Sequence, residues 1–310
     1  MKNIVIDTDP GVDDALAIIL ALNSPELNVE AITTVDGNVS EEKGHTNAKK
    51  LLEFLHRTDI PVCRGAKRPI MRQVSHAEEF HGISGLGETT LPSPKMKSDP
   101  RRASHVINQL VDEHKGELTL VAIGPLTNIA TAIMNDPDLP IKVSGLVMMG
   151  GAFNLTPYGI GNANAVAEFN VWHDPEAAQI VFNSGIPIVC AGLDTTTHLE
   201  YRMSSQMFET IKTFDTPCSK LITDLCGSLV KRFNGFSLHD PMAVAYVVDP
   251  SIFKVQRHRV DVETQGEFTR GMTVVDRRRF VQESSKNAEI IVEVDAKRFH
   301  RLIMERVVGE

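Results

Sequence analysis

The chain has 310 residues, of which 42% are hydrophobic and 23% charged. That balance excludes a disordered, collagenous or coiled-coil architecture, and the length suffices for a full core without disulfide or metal staples. Its 32 basic and 40 acidic residues leave a formal net charge of −8, so the basic surplus that a nucleic-acid-coating protein requires is missing and no nucleic-acid partner is expected.

Short basic clusters at Lys67-Arg68, Arg101-Arg102 and Arg277-Arg278-Arg279 read as solvated surface. No apolar run reaches the ~20 residues of a bilayer span, so no membrane partner is expected. Cys63, Cys190, Cys218 and Cys226 form no CxxC pair, and the chain enters a strand directly from its first residues, leaving no room for a targeting segment. The expectation is a cytoplasmic protein with reduced thiols, Cys63 and Cys190 lying in the core.

The first apolar run, 3–6, is a strand candidate ending in an acidic, glycine-containing turn. Residues 13–22 then carry Ala15, Ile18, Ile19 and Leu22 at helical spacing. A strand at 29–35 and a helix at 47–55 follow. Residues 118–123 form a buried strand, then Gly124-Pro125 and a helix through residue 134. Residues 143–149 form a strand ending in Gly150-Gly151, 175–182 a helix, 186–193 a strand and 241–248 a helix. Two segments near 73–99 and 213–238 read as irregular flaps, the second because it holds Pro217, Gly227 and Gly235. The repeated strand–turn–helix order predicts an α/β protein. It is one domain over 1–310, an open, mostly parallel, Rossmann-like sheet flanked by helices.

Ligands of such sheets bind beyond the carboxyl ends of the strands. Asp7, Asp9, Asp13 and Asp14 follow the first strand, Asn38 the second, and Asp194 the strand at 186–193. Four carboxylates within eight residues repel one another unless a cation or a helix terminus neutralises them. Capping of the following helix explains two of them; an all-oxygen donor set for a hard cation, Ca²⁺ or Mg²⁺, explains four. The spacing is not that of an EF-hand loop.

His-Asp-Pro occurs twice before a helix, at His173-Asp174-Pro175 and at His239-Asp240-Pro241. Either aspartate fits an N-cap with proline at the next position, and spacing alone does not separate a cap from a functional copy. Asn162, Asn164, Glu168 and Asn170 make a polar cluster after Gly150-Gly151, suited to a polyhydroxyl ligand or to a solvated loop. A P-loop, a post-strand GxGxxG, a GxSxG elbow and HExxH zinc spacing are all absent.

Asp7-Thr8-Asp9-Pro10-Gly11-Val12-Asp13-Asp14 resembles the N-terminal DxDPGxDD signature of the inosine–uridine preferring nucleoside hydrolase family. Asp36-Gly37-Asn38, His81-Gly82, residues 122–128, Met149-Gly150-Gly151, residues 167–170 and 174–178, His239-Asp240-Pro241 and residues 271–276 follow in family order. The resemblance covers essentially the whole chain and implies the nucleoside hydrolase fold. It further implies Ca²⁺-dependent hydrolysis of the N-glycosidic bond of ribonucleosides to ribose and free base, in a homodimer or homotetramer.

It also implies roles for single residues. Asp9, Asp14, Asp240 and the Ile123 carbonyl would hold the ion, with Asp7 supporting them. Asp9 would be the general base. Asp13, Asn38 and Asn170 would hold the ribose 2′- and 3′-hydroxyls, and Asn162 and Glu168 the 5′-hydroxyl. Met149 would line the sugar pocket. His81 would lie near the base, which His239 would help protonate. The family's functional His-Asp is the later copy, which leaves His173 incidental and Asp174 a cap. The stretch 152–161 is longer than in bacterial relatives. Two other readings share parts of this pattern: a phosphohydrolase of the haloacid dehalogenase type, and a non-catalytic nucleoside or ribose binder.

Overall fold

The computed structural model describes residues 1–309. The chain begins with β1 (Lys2–Thr8), α1 (Val12–Leu22), β2 (Leu27–Thr34), α2 (Glu41–Phe54), β3 (Val62–Arg64) and α3 (Glu78–His81). It continues through β4 (Asp99–Arg102), α4 (Ala103–Glu113), β5 (Leu118–Ala122), α5 (Thr127–Asn135), α6 (Leu139–Lys142) and β6 (Gly145–Met149). Next come α7 (Phe169–His173), α8 (Pro175–Asn183), β7 (Ile188–Ala191) and α9 (Leu193–Thr196). The last third holds β8 (Met203–Ser204), α10 (Ser205–Ile211), α11 (Pro217–Phe233), β9 (Gly235–Phe236), α12 (His239–Val248), β10 (Phe253–Val262), β11 (Thr273–Asp276), β12 (Ala288–Val294) and α13 (Ala296–Ile303).

One ten-stranded sheet runs in the order β11-β10-β12-β7-β6-β5-β1-β2-β3-β4. From β12 to β4 every neighbouring pair is parallel; β10 and β11 close one edge antiparallel. Both faces are covered. In β1, Ile4 and Ile6 belong to one core layer and Val5 to the other; in β5, Val121 belongs to the first and Leu118, Leu120 and Ala122 to the second. Period-2 side chains buried on both faces give the continuous apolar runs typical of parallel strands. Helices α1, α11, α12 and α13 supply the first layer, and α4, α5 and α8 the second.

Successive strands β1, β2 and β3 move one way across the sheet, and β5, β6 and β7 move the other. The order reverses at β1, and such a reversal opens a crevice at the carboxyl ends of the strands. The acidic turn, residues 9–11, sits in that crevice.

Two expectations are corrected. Residues 213–238 are not an irregular flap but mostly α11, a helix of 17 residues. Pro217 starts it rather than breaking it, because proline suits the first helical position, while Thr216 and Ser219 form a capping box. Gly227 is tolerated inside the helix, and Asn234 ends it in the left-handed conformation. Helix α2 begins at Glu41, before the apolar stripe starts; its first turns bury Glu41, Gly44 and His45, which a hydrophobic pattern does not flag. The four cysteines are unpaired, and Cys63 and Cys190 are buried. No helix among the described residues is long and apolar enough to cross a membrane.

Candidate active site

The chain leaves β1 at Thr8 and re-enters a helix at Val12, so residues 9–11 must turn tightly at the carboxyl end of this interior strand. Gly11 is extended there and has no room for a side chain, since a Cβ would lie 2.5 Å from His81 Nδ1. Asp14, in the first turn of α1, ties the turn together. Its Oδ1 accepts from Thr8 Oγ1 at 2.5 Å and from the Asp9 N–H at 3.3 Å; its Oδ2 accepts from the Gly11 N–H at 2.9 Å and from Asn38 Nδ2 at 3.0 Å.

Asp9 is enclosed by backbone. A Cβ on Gly37 would lie 2.0 Å from its Oδ2, and one on Gly124 would lie 2.6 Å from its Oδ1. The Asn38 N–H donates to Oδ2 at 2.6 Å, and Oδ1 is buried with no partner. Below it, Asp7 Oδ1 accepts from Thr33 Oγ1 and from Asn128 Nδ2, at 2.5 and 2.7 Å. Asp7 Oδ2 and Asp13 Oδ1 are also buried without partners.

Asp13, Asp14 and Asp240 each bring a carboxylate oxygen within 4.8 Å of the others. Asp240 comes from the first turn of α12, and the two His-Asp-Pro copies now separate. Asp174 caps α8: it accepts from the Ala177 N–H, and also from Thr127 Oγ1 and the Ile70 N–H. Asp240 does not cap α12, which starts one residue earlier at His239 after Leu238. Its carboxylate turns to the acidic cluster instead. His173 is fully buried, and its Nε2 meets Asp36 Oδ2 at 3.2 Å, while His76 Nε2 meets Asp36 Oδ1 at 3.1 Å.

The electrostatics follow from burial without countercharge. Burial and the Asp14 charge hold Asp9 well above the ordinary carboxylate range. Burial, then the Asp13, Asp14 and Asp9 charges, do the same to Asp240. Asp13 is pushed up to about 8 by burial and then by Asp14, and Asp7 to about 7 by burial against its two hydrogen bonds. No lysine or arginine among the described residues pairs with any of these groups; the nearest basic atom is His81 Nδ1, 3.9 Å from Asp13 Oδ1. Crowded buried carboxylates, unpartnered oxygens and an all-oxygen donor set fit a hard divalent cation.

On the β5–β6 side, Asn170 Nδ2 donates to the carbonyls of Ile123 at 3.1 Å and Met149 at 3.2 Å. Glu168 is buried; Gly151, Asn170 and Val171 each donate a backbone N–H to it. Burial nevertheless raises its pKa, and its charge in turn raises that of Asp13. Asn162 stands apart: it is exposed, and its Oδ1 accepts from the Phe169 N–H at 2.9 Å. Asn164 shapes its own loop, accepting from the Val166 and Ala167 N–H groups.

His81 Nδ1 accepts from the Val12 N–H at 3.1 Å, and His239 Nδ1 lies 2.8 Å from Thr196 Oγ1. Burial lowers both imidazoles to about 4, so both are neutral at pH 7. The Thr196 hydroxyl can donate to Nδ1 or accept from it, and either way it fixes the orientation of the His239 ring. Thr196 is a residue that sequence reasoning missed; its only signal is the polar run Asp194-Thr195-Thr196 after a buried strand. Asp194 itself does not join the site. It accepts from the Phe153, Leu155 and Thr156 N–H groups and so fixes the turn of the 152–161 stretch.

Comparison with known proteins agrees over the full length. The inosine–uridine preferring nucleoside hydrolase family profile matches residues 4–301. The chain is 40% identical to the pyrimidine-specific ribonucleoside hydrolase RihA of Salmonella agona, over 98% of this chain and 97% of that one. Among solved structures, the plant nucleoside hydrolase PpNRh1 superposes with a TM-score of 0.91 at 34% identity, covering 100% and 99% of the two chains. The purine-preferring ribonucleoside hydrolase of Gardnerella vaginalis does so with a TM-score of 0.90 at 32% identity, covering 99% and 98%.

Proposed function

The chain belongs to the inosine–uridine preferring nucleoside hydrolase family, and from that premise we propose that it hydrolyses the N-glycosidic bond of ribonucleosides through a Ca²⁺ site built on its acidic turn. The observation that carries the metal-dependent part is the buried, uncompensated carboxylate cluster at the sheet's reversal point. Family membership leaves no place for the phosphohydrolase alternative. The intact constellation of Asp9, Asp240 and His239 argues for an enzyme over a passive binder.

Asp9, Asp14, Asp240 and the Ile123 carbonyl would hold the ion, with Asp7 orienting the shell beneath. When bound, the ion would fix the ribose diol and acidify a water. Asp9 accepts the proton of the attacking water at Oδ1, the oxygen that Asn38 leaves free. Asp13, Asn38 and Asn170 grip the 2′- and 3′-hydroxyls. Glu168 takes the 5′-hydroxyl on a lone pair not used by its backbone donors, and Asn162 offers its Nδ2. Met149 packs against the sugar.

Departure of the base leaves a ribosyl cation, and the surrounding carboxylates stabilise that charge as it forms. His239, its Nδ1 facing the Thr196 hydroxyl, would take up a proton in the substrate complex and pass it to the leaving base, returning to the neutral ring, with His81 on the same side. Held at several points, the ribose reacts from one orientation, which removes much of the entropic barrier.

We read the enzyme as a cytoplasmic homodimer or homotetramer; its four unpaired thiols suit a reducing compartment. The test is release of reducing sugar from uridine, cytidine, inosine, adenosine and a 2′-deoxynucleoside, before and after chelation and re-addition of Ca²⁺. The reading expects Ca²⁺-dependent release with the deoxynucleoside poor. No release from any ribonucleoside by Ca²⁺-loaded protein overturns it.

A further inference from the structure

His81 reaches the acidic pocket from a segment that has little structure of its own. Helix α3 is four residues long; Glu79 and Phe80 are exposed, and only the His81 side chain is largely covered, by the pocket it enters. Something outside the segment must hold it where Nδ1 meets the Val12 N–H. The structure shows what does. The chain meets α11 at Phe80 and again at Gly87, while Lys43 and Asn47 of α2 hold Glu78 and the Ser84 carbonyl. A Cβ on Gly87 would lie 2.6 Å from the Leu225 carbonyl, so the flap backbone rests directly on the helix.

Two turns further along the same face of α11 stand Arg232 and Phe233. The Phe80 and Phe233 rings stack with centroids 6.2 Å apart and planes 21° apart. The Arg232 guanidinium lies 4.8 Å from the Phe233 centroid and 5.8 Å from that of Phe80, and Nη1 donates a long 3.4 Å bond to the Glu79 carbonyl. Among the described residues Arg232 has no carboxylate within ion-pair distance; the aromatic rings and a carbonyl are its partners. One guanidinium that lies within 6 Å of both ring centroids bridges the two chain segments as a clasp.

We propose that Arg232 is a positioning residue, clasping Phe80 to Phe233 so that His81 stays over the acidic pocket and the nucleoside is retained. The inference rests on the functional reading above, since it assigns the clasp's effect to nucleoside affinity. An exposed cation–π contact carries free energy enough to shift an equilibrium about two- to five-fold, so the clasp tunes KM and leaves the chemistry to other residues.

The experiment uses full-length Arg232→Gln, Arg232→Lys, Phe80→Leu and the double variant Arg232→Gln/Phe80→Leu. It reads steady-state sugar release, melting temperature and amide hydrogen exchange over residues 78–87. The expected result is a KM raised about two- to five-fold in Arg232→Gln and Phe80→Leu, with kcat and melting temperature at the wild-type level. The double variant should be no worse than either single, because the two side chains act as one unit. Arg232→Lys, which keeps a cation over the rings, should recover most of the KM. Exchange over 78–87 should quicken in Arg232→Gln alone among the arginine variants. An unchanged KM with unchanged exchange overturns the proposal, and so do single effects that multiply in the double variant. If wild type cleaves no ribonucleoside, the functional reading has failed, while the exchange comparison still decides whether the clasp exists.

Discussion

Asn38 and Asp9 divide the labour of one carboxylate. The Asn38 N–H donates to Asp9 Oδ2 at 2.6 Å, and Oδ1, two atoms away, is buried with no protein partner. Asp9→Asn keeps the shape and still offers an oxygen to the Asn38 N–H, but it removes the proton acceptor. Loss of a general base costs about 10²- to 10⁴-fold in rate. The expected outcome is a kcat lower by that factor with a melting temperature close to wild type. Steady-state kinetics with calorimetry on the same sample check it, and retention of more than a tenth of wild-type kcat would remove Asp9 from the base role.

Two glycines give opposite predictions for the same substitution. Gly124→Ala places a Cβ 2.6 Å from Asp9 Oδ1 and 2.9 Å from Val35 Cγ1. The carboxylate must move, and a displacement of that order in a catalytic group costs about 10²-fold. Gly227→Ala, inside α11, meets only Phe208 Cζ at an ordinary 3.7 Å. There the added methyl lowers the entropy of the unfolded chain and should stabilise by about 0.5–1 kcal/mol. Denaturant midpoints and activities of the two variants, measured side by side, test both signs.

The His239 assignment makes a prediction about leaving groups. A purine or pyrimidine leaves poorly without a proton, whereas a nitrophenolate leaves unaided. His239→Ala should lose about 10²- to 10⁴-fold in kcat on nucleosides and keep most of its rate on a nitrophenyl riboside. Thr196→Val, which removes the partner of Nδ1 at 2.8 Å, should show the same selectivity in weaker form. Equal losses on both substrate types would show that His239 acts on something other than the leaving group.

How much of this was legible in the sequence depends on how local each signal is. Asp7, Asp9, Asp13 and Asp14 crowd one turn, so their electrostatic problem is visible without a structure. The parallel sheet was legible because strand, turn and helix alternate along the chain. Asp240 was not separable from Asp174 by spacing. What distinguishes them is that Asp174 is satisfied by Thr127, Ile70 and Ala177 from three parts of the fold, whereas Asp240 finds only other carboxylates. Helix α11 was misread because Pro217 and Gly227 are breakers in most positions and not in the ones they occupy. Thr196 was invisible because a threonine becomes informative only once His239 is beside it. Asp194 looked like a site residue by its place after β7, yet its oxygens serve the 153–156 backbone.

The acidic cluster should make the stability of the cation-stripped protein fall with pH above neutrality. Two sets of shifts oppose each other. His45, His81 and His239 are lowered from 6.5 to about 4 by burial. Between those values the unfolded chain binds more protons, so their contribution to stability rises with pH. Asp7 and Asp13 are raised from 3.8 to about 7 and about 8. Between those values the native state binds more protons, so their contribution falls with pH. From about pH 4 to 6.5 the two sets offset. From about pH 6.5 to 8 the histidines are neutral in both states, and the carboxylate term alone remains. The melting temperature of chelator-treated protein should therefore drop across that window. Added Ca²⁺ should restore more stability at pH 8 than at pH 5, because a cation replaces the protons that the carboxylates have lost. Scanning calorimetry at pH 5, 6.5 and 8, with and without Ca²⁺, checks the sign. A melting temperature that climbs from pH 6.5 to 8 without Ca²⁺ would mean that the cluster has a neutralising partner inside the protein.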